Sequence, residues 1–412
     1  MKHFKIFLVV SVILTLWNGY QAKACTSAIV SGKVTSDGRP LMWKNRDTSN
    51  LNNCVRHFKG EKYNFIGITG YTKNPRSIWM GLNDAGFAIL NTLSYNLNDE
   101  ENKKNRNGSL MTDALGVCRT VEDFKNFLDS LPTDFPVSAN FGVMDAEGHA
   151  GYFETGINGY TYFDIDDPNV APNGYIVRTN YSTSGKFDEG GGYLRYLQAE
   201  KNLFNASGSH QVTPEYFFSE MSRSYQNPLM DIDLRSGILN KPNGSGWTTE
   251  QDFIARRSSS SAVVIQGVKP GENPENTIMW TSIGYPSTSP FIPLWVKGSD
   301  KKLPYVVFIE TEKGAKSPLC DAASILRNKV FGFKRGNNVD NYMNWELLYN
   351  SKGNGYLQLV EKLENNLIKG PYKQVEEIRN EKGPDQKDIF KIYDDVDKEI
   401  ISFYAENFDI NL

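Results

Sequence analysis

Ala22-Lys23-Ala24-Cys25-Thr26-Ser27-Ala28-Ile29-Val30 is the stretch on which the reading of this chain turns. To its left, Lys2 and Lys5 precede an uncharged apolar run from Ile6 to Trp17. Small residues stand at 22 and 24, the positions a signal peptidase reads. This is the pattern of an export leader over residues 1–24, with an apolar run too short to span a bilayer. To its right, strand-like sequence begins at once. Cleavage after Ala24 would leave a chain that starts with Cys25, with a thiol nucleophile and an α-amine base on one residue. A lipid anchor on Cys25 fits less well. Ala22 and Lys23 do not match the anchor pattern, and Thr26–Val30 leaves no polar tether.

Composition bounds the rest. The chain has 412 residues, 39% of them hydrophobic and 12% aromatic, enough for a large core. Its formal charge is −3, and loss of the leader's three lysines makes the mature chain more acidic. No basic block supports nucleic-acid binding. No later run is long and apolar enough for an integral membrane span. Four cysteines do not make a disulfide scaffold. With Cys25 set aside as a nucleophile, Cys54, Cys118 and Cys320 allow at most one intrachain bridge, and the sequence does not choose it. Self-association is left open.

Working outward, Thr26–Val30 and Leu41–Asn45 flank a turn at Ser36-Asp37-Gly38, a hairpin that returns Lys44-Asn45-Arg46-Asp47 towards Cys25. Ile78–Leu82 and Phe87–Thr92 predict a second hairpin around Asn83-Asp84-Ala85-Gly86. Phe141–Asp145 and Ala150–Thr155 predict a third, followed by strands at Tyr160–Ile165 and Tyr175–Thr179. Helices are expected over Leu110–Cys118, Val121–Leu131 (capped by Thr120), Tyr193–Phe204 and Pro214–Tyr225. Strands resume at Ser261–Val268, Thr277–Ile283, Leu294–Lys297 and Tyr305–Glu310. From about Asp321 the tail reads as mostly helical, most clearly at Tyr356–Ile368 and Lys387–Phe408. Strand and helix blocks that do not alternate predict an α+β protein of two antiparallel sheets with helices outside, not a doubly wound sheet. Leu239–Gly246 is the best linker candidate.

A cysteine thiol titrates near 8.5 and an α-amine near 8, so an N-terminal amine can take the thiol proton directly or through one water. The thiolate would attack an amide carbonyl and form a thioester, released by water or another amine. Side-chain amides suit the oxyanion, and a carboxylate or cation would hold the amine or assist the thiolate.

Cys25-Thr26-Ser27 with Lys44-Asn45-Arg46-Asp47 resembles the N-terminal signature of the choloylglycine hydrolase and acyl-CoA:6-aminopenicillanate acyltransferase families, shared with N-terminal-cysteine dipeptidases and secernins. Gly81-Leu82-Asn83-Asp84-Ala85-Gly86-Phe87-Ala88 with Asn91, and Arg178-Thr179-Asn180-Tyr181, resemble later segments of that group. The resemblance runs plainly from Cys25 to Leu203. It implies a four-layer αββα N-terminal-nucleophile (Ntn) hydrolase sandwich over residues 25–412, with a helical C-terminal extension. It also implies hydrolysis or acyl transfer at a non-peptide or small-peptide amide, and N-acylated amino acids, small acyl-amides or short peptides are the expected substrates. No cofactor is expected, and the lack of an H-E-x-x-H and of a paired C-x-x-C leaves a metal site unsupported. Cys25 matches the nucleophile, Asp47 the acid that orients its amine, Asn91 the oxyanion-hole amide and Asn180 a second amide. Lys44 stands where the bile-salt enzymes usually carry arginine, which shifts weight to the acyltransferase-like and secernin-like branches. Arg46, Arg256 and Arg257 are weaker substrate-binding candidates.

Rival readings attach to the same residues. The chain could be an exported or lipid-anchored binding protein without catalysis, or a hydrolase with a Cys-His dyad using His57 or His149. Arg195, on a helix, reads as structural. Gly190-Gly191-Gly192 lacks the rest of a phosphate-loop motif and reads as a plain loop. Asp164-Ile165-Asp166-Asp167 lacks calcium-loop spacing and reads as a solvated turn.

Overall fold

The structure, a computed structural model, describes residues 24–98, 105–237, 245–312, 314–334, 341–380 and 383–412. The leader expected at 1–24 lies outside it but for Ala24, as does most of 239–246.

Thirteen strands form the two main sheets: β1 (Cys25–Val30), β2 (Leu41–Asp47), β3 (Asn53–Lys59), β4 (Asn64–Gly70), β5 (Met80–Asn83), β6 (Ala88–Leu93), β7 (Ala139–Met144), β8 (Ala150–Gly156), β9 (Gly159–Asp164), β10 (Tyr175–Arg178), β11 (Ser259–Gln266), β12 (Ile278–Ile283) and β13 (Ile292–Leu294). The first sheet runs β10-β1-β2-β11-β12-β13 and the second is a meander, β3 through β9. Every pairing in both is antiparallel. Helices α1 (Asn107–Val117) and α2 (Val121–Asp129) cover one face of the seven-stranded sheet. They close a core of Leu110, Leu115 and Phe124 over Ile89, Phe141 and Phe153. Thr120 caps α2 through a reciprocal bond with Asp123. Facing side chains such as Ile29, Met42, Leu90 and Tyr152 fill the space between the sheets.

Helix α3 (Tyr193–Ser207), α4 (Pro318–Val330), α5 (Tyr356–Lys369), α6 (Lys373–Asn380) and α7 (Gln386–Phe408) lie over the six-stranded sheet. The predicted α+β architecture of two antiparallel sheets flanked by helices is thus what the chain forms. Trp280 of β12 meets Tyr372, and Trp295 meets Tyr393 of α7, so the helical tail shares the main core. Arg223, wholly buried, fastens α5 by two bonds to Glu364, of 2.5 and 2.7 Å.

Four local expectations change. The strand expected at Leu294–Lys297 instead spans Ile292–Leu294, and the chain then turns, with Ser299 N bonded to Val296 O. The hairpin of β3 and β4 is absent from the sequence reading, because its half-exposed residues Arg56-His57-Phe58 mask the alternation. Tyr305–Glu310 does not form a strand: Asp397 of α7 accepts the N–H groups of Tyr305 and Val306, and those of Val307 and Phe308 turn back to Pro304 O. Only Ile309–Thr311 pairs, with Gly314–Lys316. Pro214–Tyr225 begins as helix but widens to a π turn over Phe217–Met221, with Ser222 N bonded to Phe217 O at 2.8 Å.

Candidate active site

Cys25 opens β1, paired with Arg46, while Ser27 pairs with Lys44 and, on its other side, with Arg178. Side chains alternate along a strand, so Cys25 and Ser27 share one face and Thr26 the other. Contacts identify the faces. Ser27 Oγ accepts from Tyr152 of β8 at 2.8 Å, and Lys44 Nζ donates to Asn91 Oδ1 of β6 at 2.8 Å. Cys25, Lys44 and Arg46 therefore look into the space between the sheets, and Thr26, Asn45 and Asp47 look outward beneath the helical layer.

On the outward face, Cys25 N donates to Asn180 Oδ1 at 3.1 Å. This nitrogen is still a peptide nitrogen bonded to Ala24, and it stands in for the α-amine of a chain that begins at Cys25. Asn180 Nδ2 donates to Leu93 O at 2.7 Å, which fixes which end of the amide faces the nitrogen. Arg195 of α3 donates to Cys25 O at 2.7 Å, to Thr26 Oγ1 at 2.8 Å and to Asn180 Oδ1 at 3.2 Å. Its Nε donates to Asp252 Oδ1 at 3.0 Å. Asp252 also accepts from Arg256, whose Nε donates to Asp47 Oδ2 at 2.8 Å; Ser259 Oγ donates to Asp47 Oδ1 at 2.7 Å. Two arginines and two aspartates thus form a neutral chain that holds the backbone of residue 25. Arg195 is only 2% exposed, and Gly192 is the reason it fits: a Cβ there would sit 2.3 Å from Arg195 Nη2.

On the inward face, Lys44 Nζ also donates to Trp79 O at 2.9 Å. A lysine only donates, so this contact turns Asn91 Oδ1 towards Lys44 and leaves Nδ2 as the end that can meet a ligand. Burial pushes Lys44 down to about 8, opposed by the nearby Cys25 thiol. Burial likewise lowers Arg46 to about 10, again opposed by Cys25. Arg46 lies 4.3 Å from the Trp79 ring centroid. Burial raises the Asp47 carboxyl, opposed by Arg256 and Arg195.

The expected residues meet here with altered partners. Cys25, Lys44, Asn91 and Asn180 converge. Asp47, expected to orient the amine, makes its hydrogen bonds with Arg256 and Ser259 and reaches residue 25 through the chain of charges. Arg256, expected near substrate, is occupied by Asp47 and Asp252. Arg257 points elsewhere with its backbone: its N donates to Glu250 and its O accepts from Arg327. Arg195, read from the sequence as structural, and Asp252, not singled out there, complete the clamp. His57 is half-buried on β3, acted on by Asp300 and Asp84, and His149 Nδ1 lies 3.4 Å from Asp145. Cys54, Cys118 and Cys320 are buried free thiols, which burial pushes up to about 12, 12 and 11. Among the described residues no helix is long and apolar enough to cross a membrane, and no group of acids, histidines and cysteines is arranged to hold a metal.

Fold and site define a two-sheet α+β protein with a cysteine at the head of a central strand, clamped by amides and arginines. No family model and no curated protein matches the chain. Among solved structures it is similar to a variant of conjugated bile acid hydrolase from Clostridium perfringens: 13% identity, 68% of this chain and 94% of that one, TM-score 0.39. It is also similar to the Caenorhabditis elegans ortholog of N-acylethanolamine-hydrolyzing acid amidase (13%, 61% and 93%, TM-score 0.35). A third is penicillin V acylase from Agrobacterium tumefaciens (16%, 66% and 86%, TM-score 0.36). All three TM-scores lie below 0.5.

Proposed function

We propose that this chain, once it begins at Cys25, is an exported Ntn amidohydrolase or acyltransferase that cleaves a small linear amide through a thioester on Cys25. The observation that carries this reading is the clamp on residue 25: its nitrogen on Asn180 Oδ1, its carbonyl on Arg195, at the head of a strand whose inward neighbours are two cations. An ordinary core cysteine needs none of these. The neutral α-amine, held by Asn180, accepts the thiol proton. The thiolate attacks the amide carbonyl while Lys44 offsets its charge. Asn91 Nδ2 donates to the oxyanion, and the protonated amine returns its proton to the leaving nitrogen. Water, or an acceptor amine, then releases the acyl group from sulfur. An anchored binding protein gains nothing from this clamp, and a cysteine already paired in the central sheet leaves no spacer for a lipid.

The test is to sequence the N-terminus of secreted protein and take its intact mass after an electrophilic acyl probe. The expected result is a chain starting at Cys25 with one adduct on that residue, and no turnover in Cys25→Ala. A chain that starts elsewhere, or equal rates for mature protein and protein retaining residues 1–24, would refute the mechanism.

A further inference from the structure

Buried charge is tolerated where it is paired. Arg178, Arg195 and Arg223 are each 6% exposed or less, and each holds a carboxylate: Glu154, Asp252 and Glu364. Arg46 is as deeply buried, at 6%, and holds none among the described residues. Its Nη1 donates to Asn53 Oδ1 at 2.8 Å and Ser260 Oγ at 3.0 Å, with Asn50 O further off at 3.4 Å. All these partners are neutral. Nε and Nη2 donate to no described group and are not among the atoms sealed away from solvent. The Trp79 ring fixes the guanidinium plane from one side. Asp47, next along the chain, is on the opposite face, with its oxygens taken by Arg256 and Ser259.

Charge at the site gives the same answer. The outward chain of Arg195, Asp252, Arg256 and Asp47 is neutral, and Arg178 is balanced by Glu154. On the inward face stand two cations, Lys44 and Arg46, and moving the Cys25 thiol proton to the amine of the same residue leaves the net charge unchanged. That face keeps a positive excess, with Arg46 paired across the strand with the nucleophile.

We propose that Arg46 receives a carboxylate of the substrate, close to the amide under attack, so that the preferred substrates are amides bearing one negative charge near the scissile bond. This rests on Cys25 being the nucleophile. The free edge of a guanidinium, Nε with Nη2, matches the two oxygens of a carboxylate. The carboxylate can sit on the leaving amine or on the acyl group. The chemistry at Arg46 is the same, and the substrates below separate the two.

The experiment measures kcat/KM of the mature protein on two matched pairs: N-butyrylglycine against N-butyrylglycinamide, and glutaryl-p-nitroanilide against butyryl-p-nitroanilide. The charged member of at least one pair is expected to be favoured by about tenfold to a hundredfold, as for a hydrogen-bonded ion pair, chiefly through KM. Arg46→Gln should collapse that ratio, and Arg46→Lys should retain part of it. A wild-type ratio near one in both pairs overturns the proposal and does not depend on how any variant folds. So does a preference that survives in a folded Arg46→Gln protein. If no substrate is turned over and Cys25 takes no acyl probe, the reading of the nucleophile has failed and this inference with it.

Discussion

Replacing Lys44 by arginine should change the shape of the pH profile more than its height. Burial lowers the Lys44 ammonium from 10.5 to about 8. At 1.36 kcal/mol per unit, that is about 3 kcal/mol against the charged form. The sign for stability follows. Between about pH 8 and 10.5 the unfolded chain binds the proton more readily, so Lys44 makes the fold more stable as pH rises through that window, and its cost is fully present below it. Under the proposed mechanism catalysis has the opposite dependence. The α-amine becomes a base only as it loses its proton near 8, and Lys44 assists only while it keeps its own. With both near 8, the competent fraction peaks at about a quarter and falls about 25-fold by two units higher. The two steps belong to the coupled pair rather than to either group. Arginine starts about two units above lysine and keeps its charge well past pH 8, so Lys44→Arg should rise about twofold from pH 8 to a plateau. The assay is kcat/KM on an acyl-amide from pH 6 to 10, with near-UV circular dichroism at each point to confirm folding. A descending limb at the same pH in Lys44→Arg would refute the role given to this lysine. A lower plateau would not, since arginine is the larger side chain in a buried slot.

Asn91→Ala should lower kcat by about 10²–10³ with KM little changed, the cost of one oxyanion donor, as read by steady-state kinetics. Arg195→Lys should keep more activity than Arg195→Met, because a single ammonium can still reach Cys25 O but cannot also hold Asn180 and Asp252. The loss should appear in kcat at unchanged KM, whereas a purely structural role would move only the denaturation midpoint. Arg223→Met should destabilise the protein by about 3–5 kcal/mol in urea titration, because it leaves Glu364 buried without its partner. Glu364→Gln should cost less, since the amide can still accept from Arg223.

Much of the fold is legible because each block keeps one period over its length. The apolar ends Ala28-Ile29-Val30 and Ala262-Val263-Val264-Ile265 and the helical stripes of the tail are the clearest cases. The hairpin at 53–70 was hidden because an edge strand half in water has no clean alternation. At the site, Cys25, Lys44, Asn91 and Asn180 could be named because they lie in segments with a recognisable order. Of the charges that hold residue 25, Asp47 and Arg256 could be named, though for other roles, while Arg195 and Asp252 could not. Arg195 looks like any helical arginine, and Asp252 belongs to a loop with no pattern at all. One signal for Arg195 was present: three glycines stand before a helix with no phosphate motif, and the last of them, Gly192, leaves room for its guanidinium, while Gly190 and Gly191 lie against Tyr181 and Tyr95. Asp252 carries φ 52, strained for a residue with a Cβ, but backbone angles are not written in the sequence.

On the proposed mechanism, the two faces of β2 let this stretch serve the nucleophile without crowding it. A strand places neighbours on opposite sides, so Lys44-Asn45-Arg46-Asp47 sends two cations inward and an amide and an acid outward. If Asp47 faced the thiol, it would oppose thiolate formation and cancel one of the cations. On the outer side it offsets Arg256, which shares Asp252 with Arg195, and so it helps keep a guanidinium on the Cys25 carbonyl without adding net charge near the sulfur. A shift of one residue in the pairing of β1 with β2 would exchange the two sets. If Cys25 is the nucleophile as proposed, the register Cys25 with Arg46 is itself part of the catalytic design. It is locked from both sides, by Tyr152 on Ser27 and by Arg195 on Thr26.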